Sequence, residues 1–387
     1  MSRNKMSDYV AYRTTIKRLL LAVGLWPREH PTIWYRLVLI VQIIVNICTV
    51  VTIGNFVRVN SNDVTRATKG ITVMSGFFSS FLKTICIITN RKEADELHRL
   101  LDPAFFKLLQ SPKFSTLMLK EVTIFRNLMR VLGSLLTCST CAFIITPIIL
   151  VFHQRKHDIN PVKYLLIIPG AYPWKITPNG FVYKFIYTME AVSMTLTVFV
   201  AVGIDSLFTF YVFQIIGRFR EMTYRISNIN EKNDFRNAIR ECVRQHEILM
   251  RCRDILEKIY GPIVLWTIII NAIHLCGQIF EFTQMMGISV QRAIFSSAYM
   301  IAKFLQTFMY AWAGMRLTEE SENYKTAVYA ANWHSNKTFM TSVIIMLAQK
   351  PMVLTTCKFS VISIDIFAKV VNTAISYFFL LQTIDEE

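Results

Sequence analysis

The sequence predicts an all-α membrane protein of seven transmembrane helices. Its N-terminus lies in the cytoplasm, its C-terminus lies outside, and its last helix is split at Gln349-Lys350-Pro351. Three observations carry this reading. The chain is 53% hydrophobic and 18% charged, with a mean hydropathy of +0.39, which is too apolar for a soluble domain of 387 residues. Seven stretches reach spanning length: 37–57, 70–89, 127–152, 184–213, 259–288, 293–315 and 338–384. About twenty helical residues cross a hydrocarbon core of roughly 30 Å, and lipid offers no partner to stray backbone groups, so each stretch must be helical. Lys and Arg also divide unevenly: 27 fall in 1–36, 90–126, 214–258 and 316–337, and 8 in the loops of opposite parity. Basic loops stay cytoplasmic. The formal charge of +16 then faces the anionic inner leaflet and calls for no nucleic acid.

Residues 1–36 form a cytoplasmic N-terminal segment without the short apolar core and cleavage site of a removable signal peptide. Ile16, Leu19, Leu20 and Val23 follow helical spacing between Arg13, Lys17 and Arg18, which predicts a helix lying on the inner membrane surface. Residues 37–387 form the transmembrane domain. Segment 90–126 opens on charges and continues with Leu97, Leu100, Leu101, Phe105, Leu108 and Leu109, so the third span is expected to begin in the cytosol. Segment 153–183, rich in Pro and aromatics, is the one long outside loop and can lid a cavity. Segment 214–258 places Ile239, Val243, Ile248, Leu249, Ile255 and Leu256 at helical spacing, with Arg240–Glu241 and Glu247–Arg251 as expected ion pairs. Together with 316–350 these segments make an inner helical region. Pro351 interrupts the final span by removing a donor and clashing with the preceding turn; a longer helix is expected from Met352 to Ile384.

Several motifs carry no chemistry. Cys138-Ser-Thr-Cys141 has redox or metal spacing but no second ligand pair, and reads as buried thiols. His153 and His157 sit four apart in a loop, and His246-Glu247 lacks a second His four residues after the first. No phosphate loop, metal site, cofactor site or catalytic constellation is present, so the protein is not expected to be an enzyme. No cysteine falls in an outside loop, so no extracellular disulfide framework is expected.

The C-terminal fifty residues carry a family resemblance. Gln349-Lys350-Pro351, Phe367 and Ser376-Tyr377-Phe378-Phe379-Leu380-Leu381 resemble the closing helix of the insect odorant receptors, and Tyr329 and Trp333 resemble that family's aromatic pair. Leu347-Ala348 departs from the Arg-Ser more usual there. The resemblance implies one subunit of a tetrameric, ligand-gated, non-selective cation channel whose last helices line a central pore. It implies assembly with a co-receptor subunit in a heterotetramer, contacts made through the inner region, and residence in the plasma membrane of olfactory neuron dendrites. The co-receptor carries a large insertion before the fifth span. The 214–258 segment is short, which points to the ligand-tuned subunit.

Two sets of site residues follow. Phe367, Val370, Val371, Ala374, Tyr377, Leu381 and Ile384 share a helical face, which reads as core or pore. By the resemblance, Leu380 and Ile384 stand where the pore narrows, with Tyr377 and Leu381 beside them, and apolar constrictions can gate by dewetting. Asp385, Glu386 and Glu387 form either a cation-gathering outer mouth or a solvated tail. Asp365 and Lys369, four apart, are expected to pair. The family implies a pocket for a small volatile organic ligand in the outer halves of spans two, three, four and six. Candidates are Met74, Phe77, Phe78, Ser139, Phe143, Tyr187, Glu190, Met194, Tyr299 and Lys303, each open also to a packing role. Aromatics and Met give an adaptable apolar wall. Glu190 and Lys303 are intramembrane charges, either paired with each other or separate.

Rival classes make different predictions. A G-protein-coupled receptor needs an outside N-terminus, Asp-Arg-Tyr and Asn-Pro-x-x-Tyr, all missing here, and would expose the Asn336-Lys337-Thr338 sequon. A gustatory receptor of the same superfamily would close on a Thr-Tyr…Gln-Phe pattern. A transporter would show a repeat relating its halves.

Overall fold

The computed structural model describes residues 2–28, 32–159, 161–174, 176–228, 232–285, 290–331 and 337–386. Helix α1 (Ser2–Ala22) packs against the helices Pro112–Met118, Val122–Lys156 and Phe181–Ser227 of the bundle. Tyr9, Tyr12, Ile16 and Leu20, spaced by three and four, are fully buried, with Tyr9 and Tyr12 against Phe210. The Tyr12 hydroxyl is 2.8 Å from Thr209 Oγ1, and Arg13 holds Asp102 in a two-pronged ion pair. This corrects the expected surface helix: its apolar stripe covers other helices, not lipid.

Helices α2 (Ile33–Val59), α3 (Val64–Thr89), α6 (Val122–Lys156) and α7 (Phe181–Ser227) are long and apolar enough to cross a membrane, as is Ile239–Ile279 within α8 (Lys232–Met285). On α2, Val41, Ile44, Ile47 and Val51 form an exposed apolar stripe, the face expected toward lipid. Asp63 caps α3, its carboxylate accepting from Arg66 N at 2.9 Å. At 47 and 54 residues, α7 and α8 are about 70 and 80 Å long, more than twice the hydrocarbon core, so both extend far beyond it.

Segment 90–126 holds two separate helices, α4 (Arg91–Leu109) and α5 (Pro112–Met118), before α6 begins. This corrects the expected continuous start of the third span: Pro112 opens α5 as its first residue. Helix α7 is the axis of the inner half, its residues buried without a break from Val202 to Met222. Ion pairs tie the inner ends together. Arg251 meets Glu96, Lys258 meets Glu93, and Arg220 reaches Glu320 at 2.6 Å and Glu121 at 3.1 Å. Arg240–Glu241 and Glu247–Arg251 are not formed; Glu241 pairs with Arg244 instead.

Helix α9 (Val290–Ala330) is followed by α10 (Lys337–Ala348). The expected helix from Met352 does not start there. Residues 349–363 hold a two-stranded antiparallel hairpin, β1 (Thr355–Thr356) and β2 (Ser360–Val361), turned at Cys357 and Lys358 with φ of 51° and 64°. Helix α11 (Ile364–Glu386) follows. The hairpin is lodged between two helices. A Cβ on Gly314 would collide with the Ile362 carbonyl oxygen, and one on Gly261 would come within 3.2 Å of Cys357 N. Met352 N donates to Ser321 Oγ at 2.8 Å and Thr355 N to Glu257 Oε1 at 2.6 Å.

Candidate functional site

The loop between α6 and α7, expected outside from the sequence, is strapped down at three points. The Lys163 backbone exchanges two hydrogen bonds with Gln154, Lys163 N donating at 2.7 Å and Gln154 Nε2 donating to Lys163 O at 3.2 Å. Ala171 N donates to Thr52 O, and Asn55 Nδ2 to Ala171 O. Between them the Glu190 carboxylate accepts from Ile167 N (2.9 Å), Ile168 N (3.2 Å) and Tyr172 Oη (2.7 Å). Burial, then the Glu190 carboxylate, pushes the Tyr172 phenol above its ordinary range.

The strap drives Ile167 and Ile168 inward. With Ile53 and Phe77 they form a buried apolar cluster, edged by Met74, Ile144, Tyr187 and Met194. Tyr187 also donates to the Ile144 carbonyl. Met74, Phe77, Tyr187 and Met194 thus come together, on the two helices α3 and α7, with Glu190 as the clasp of the lid above them. Residues Ile53, Ile167 and Ile168 complete the cluster and are absent from the sequence-derived set. Loop residues carry no periodicity that would reveal an inward face.

Tyr299 and Lys303 lie elsewhere, in a polar core shared by α3, α7, α8 and α9. The Lys83 Nζ is 2.5 Å from Asp205 Oδ1, both side chains nearly inaccessible. Asp205 also accepts from Tyr310 Oη at 2.6 Å and from Gln306 Nε2. Asn271 Nδ2 donates to Gln306 Oε1 (3.2 Å) and Thr307 Oγ1 (2.9 Å). Ser75 Oγ is 2.9 Å from His274 Nε2, whose ring packs edge-on to Tyr299 at 5.6 Å. Lys303 Nζ stands 5.3 Å from the centre of the Tyr299 ring. Glu190 and Lys303 do not pair, which leaves the separate option: Glu190 is held by the loop amides and Tyr172, and Lys303 makes a 3.4 Å contact to Gln306 Oε1. Sequence reasoning passed over Lys83, Asp205 and His274, although a charge inside an apolar span was the available signal.

The remaining candidates scatter. Phe78 packs edge-on to Trp266 at 6.0 Å. Ser139 is buried with its hydroxyl unpartnered, and Phe143 is exposed on α6. On α11, Val370 and Ala374 are buried against Leu275, Met300 and Phe304, while Phe367 meets Phe308 at 5.9 Å. Tyr377 and Leu380 are more than half exposed, so the face shared in sequence divides into a packed part and an open one. The side chains of Leu381, Ile384, Asp385 and Glu386, and all of Glu387, Trp333 and Asn336, lie outside the described residues. Asp365 and Lys369 form no ion pair with each other; both border an open cleft of about 370 Å³ with Lys358, Ser360 and Ser363.

Long apolar helices with a lipid-type exterior, an inner ion-paired region and a lidded outer cluster define a polytopic membrane receptor bundle. The chain belongs to the insect odorant receptor family: the family model described as 7tm Odorant receptor matches residues 63–375. It is 25% identical over 343 residues to Odorant receptor 82a of Drosophila melanogaster, covering 86% of this chain and 88% of that one. It is 29% identical over 150 residues to the odorant receptor coreceptor of Anopheles gambiae, covering 38% of this chain and 31% of that one. Its fold is similar to the insect olfactory receptor OR5 of Machilis hrabei, solved in complex with eugenol, with a TM-score of 0.77 at 17% identity over 97% of this chain and 100% of that one.

Proposed function

We propose that this chain is the odorant-binding subunit of a ligand-gated, non-selective cation channel that opens on binding a small volatile molecule. Seven spans are drawn from α2, α3, α6, α7, α8, α9 and α11, with the N-terminus cytoplasmic and the C-terminus outside. The last span is divided between α10 and α11, and the inner ends of α7, α8 and α9 hold neighbouring subunits. The partner is a co-receptor subunit in a heterotetramer in the dendritic plasma membrane of an olfactory neuron. The likeness to coreceptor sequences over 150 residues supports a shared assembly. A volatile ligand gains affinity from apolar area removed from water, about 25 cal/mol per Å², and the Phe77–Met194 cluster offers such area.

One observation carries the coupling to a gate. Helix α9 presents Tyr299 and Lys303 to the polar core and Met300, Phe304 and Phe308 to α11. A ligand that binds one arrangement of α9 better than another shifts the balance by its difference in affinity. Tyr377, Leu380, Leu381 and Ile384 then form the constriction, with Asp385, Glu386 and Glu387 at its outer mouth. The test is co-expression with a co-receptor and recording over a broad odorant panel: inward current is expected. Silence across the panel, with surface delivery confirmed, defeats the proposal. An antibody to a C-terminal epitope should label intact cells; labelling only after permeabilisation defeats the orientation.

A further inference from the structure

Among the described residues, the polar core holds two ammonium groups, Lys83 and Lys303, and one carboxylate, Asp205. Asp205 is committed to Lys83, Tyr310 and Gln306. Among the described residues, Lys303, 7% exposed, makes no ion pair, and its one hydrogen bond is a 3.4 Å contact to Gln306 Oε1, an oxygen that also accepts from Asn271. Its other contact is the face of Tyr299. An ammonium has three donors, and a buried charge needs a partner of opposite sign and filled hydrogen bonds to be tolerated. Lys303 has neither. Beside it, His274 is 1% exposed and its Nδ1 has no hydrogen-bond partner, while Nε2 is taken up with Ser75. Of the two buried groups that flank the Tyr299 ring, Lys303 is the donor left without an acceptor for its charge.

We infer that Lys303 is the recognition point for a carboxylate carried by an apolar ligand, with Tyr299 as the wall beside it. The inference rests on the proposed receptor reading and names its ligand class. A carboxylate answers the surplus positive charge and accepts from the Lys303 ammonium. An alcohol of the same length leaves the charge unanswered, and an alkane leaves every donor unfilled. Because Lys303 sits one residue from Phe304, which packs beside α11, pairing at Lys303 acts on the helix that touches the proposed gate.

The experiment records currents from the chain co-expressed with a co-receptor at neutral pH. Straight-chain acids from hexanoate to decanoate are compared with the alcohol and alkane of equal length. The best acid should act at a concentration about tenfold or more below its alcohol, as expected of a charge-assisted bond. K303M should erase that difference while leaving responses to alcohols, and K303R should keep it. If acid and alcohol act equally on the wild-type chain, the inference is overturned without any variant having to fold. An acid preference that survives in a surface-delivered K303M also overturns it. Responses to other odorants with every acid silent overturn the carboxylate assignment and leave the receptor reading standing. Silence to everything overturns both.

Discussion

Replacing Glu190 by Ala should release the outer lid. The Glu190 carboxylate is the acceptor for Ile167 N, Ile168 N and Tyr172 Oη, and all three donors lose it at once. A hydrogen bond to a charged group contributes about 1.5–3 kcal/mol net. The low end applies, because Tyr172 is half-buried and water can replace part of what it loses. Three bonds together give about 4 kcal/mol, or about a thousandfold in the ratio of closed to open lid. The amides of Ile167 and Ile168 report that ratio directly, so amide hydrogen exchange of the purified chain in a lipid nanodisc is the assay. E190A should speed exchange at both positions by two to three orders of magnitude on this reckoning, with little change at Lys163 N, which Gln154 holds independently. E190Q should fall between, since its single oxygen serves the amides or Tyr172 but not all three. Exchange at Ile167 and Ile168 in E190A within about threefold of wild type would refute the clasp, since no bond of the strength assumed could then have been lost.

Three further outcomes follow from the same contacts. K83M leaves Asp205 buried without its ammonium and should cost about 3–5 kcal/mol, read as a lower melting temperature in detergent; K83M/D205N should recover part of the loss. G314A sets a methyl against the Ile362 carbonyl oxygen and should cut surface delivery sharply, whereas G54A, whose new Cβ would lie 3.8 Å from Met74 Sδ, should be tolerated. At the start of α6, burial alone would raise Glu121, but Arg220 and Arg316 outweigh it and hold its carboxyl below the ordinary 4.5. Its contribution is therefore present above that value and lost as pH falls below it, so E121Q should flatten the acid limb of a melting-temperature profile. His98, which burial holds below 6.5, adds a second loss that begins as pH falls through that value, because the unfolded chain takes up the proton first.

The long helices were legible because period and length are local properties. What joins them was not. Glu190 stood out as a charge in an apolar stretch, but its partners are backbone amides 22 and 23 residues away, which no side-chain pattern marks. Lys83 and Asp205 were visible singly; 122 residues separate them, and only packing of α3 on α7 makes them a pair. The stripe Ile16–Leu20–Val23 looks the same whether it meets lipid or protein, and Tyr12 reaching Thr209 is what decides. Pro351 correctly signalled a helix stop. The hairpin after it gave no signal, since its left-handed turn residues are Cys357 and Lys358 where Gly or Asn would be usual.

The lodged hairpin gives the proposed channel a fulcrum. The stem of α11 is pinned at Ser321, Glu257, Gly261 and Gly314, so it cannot slide or lift. At its far end, Tyr377 and Leu380 stand open. A force arriving through Phe304 and Phe308 would act near the fixed end and be magnified along the rod, so that a small shift of α9 swings the tip widely while the base stays still.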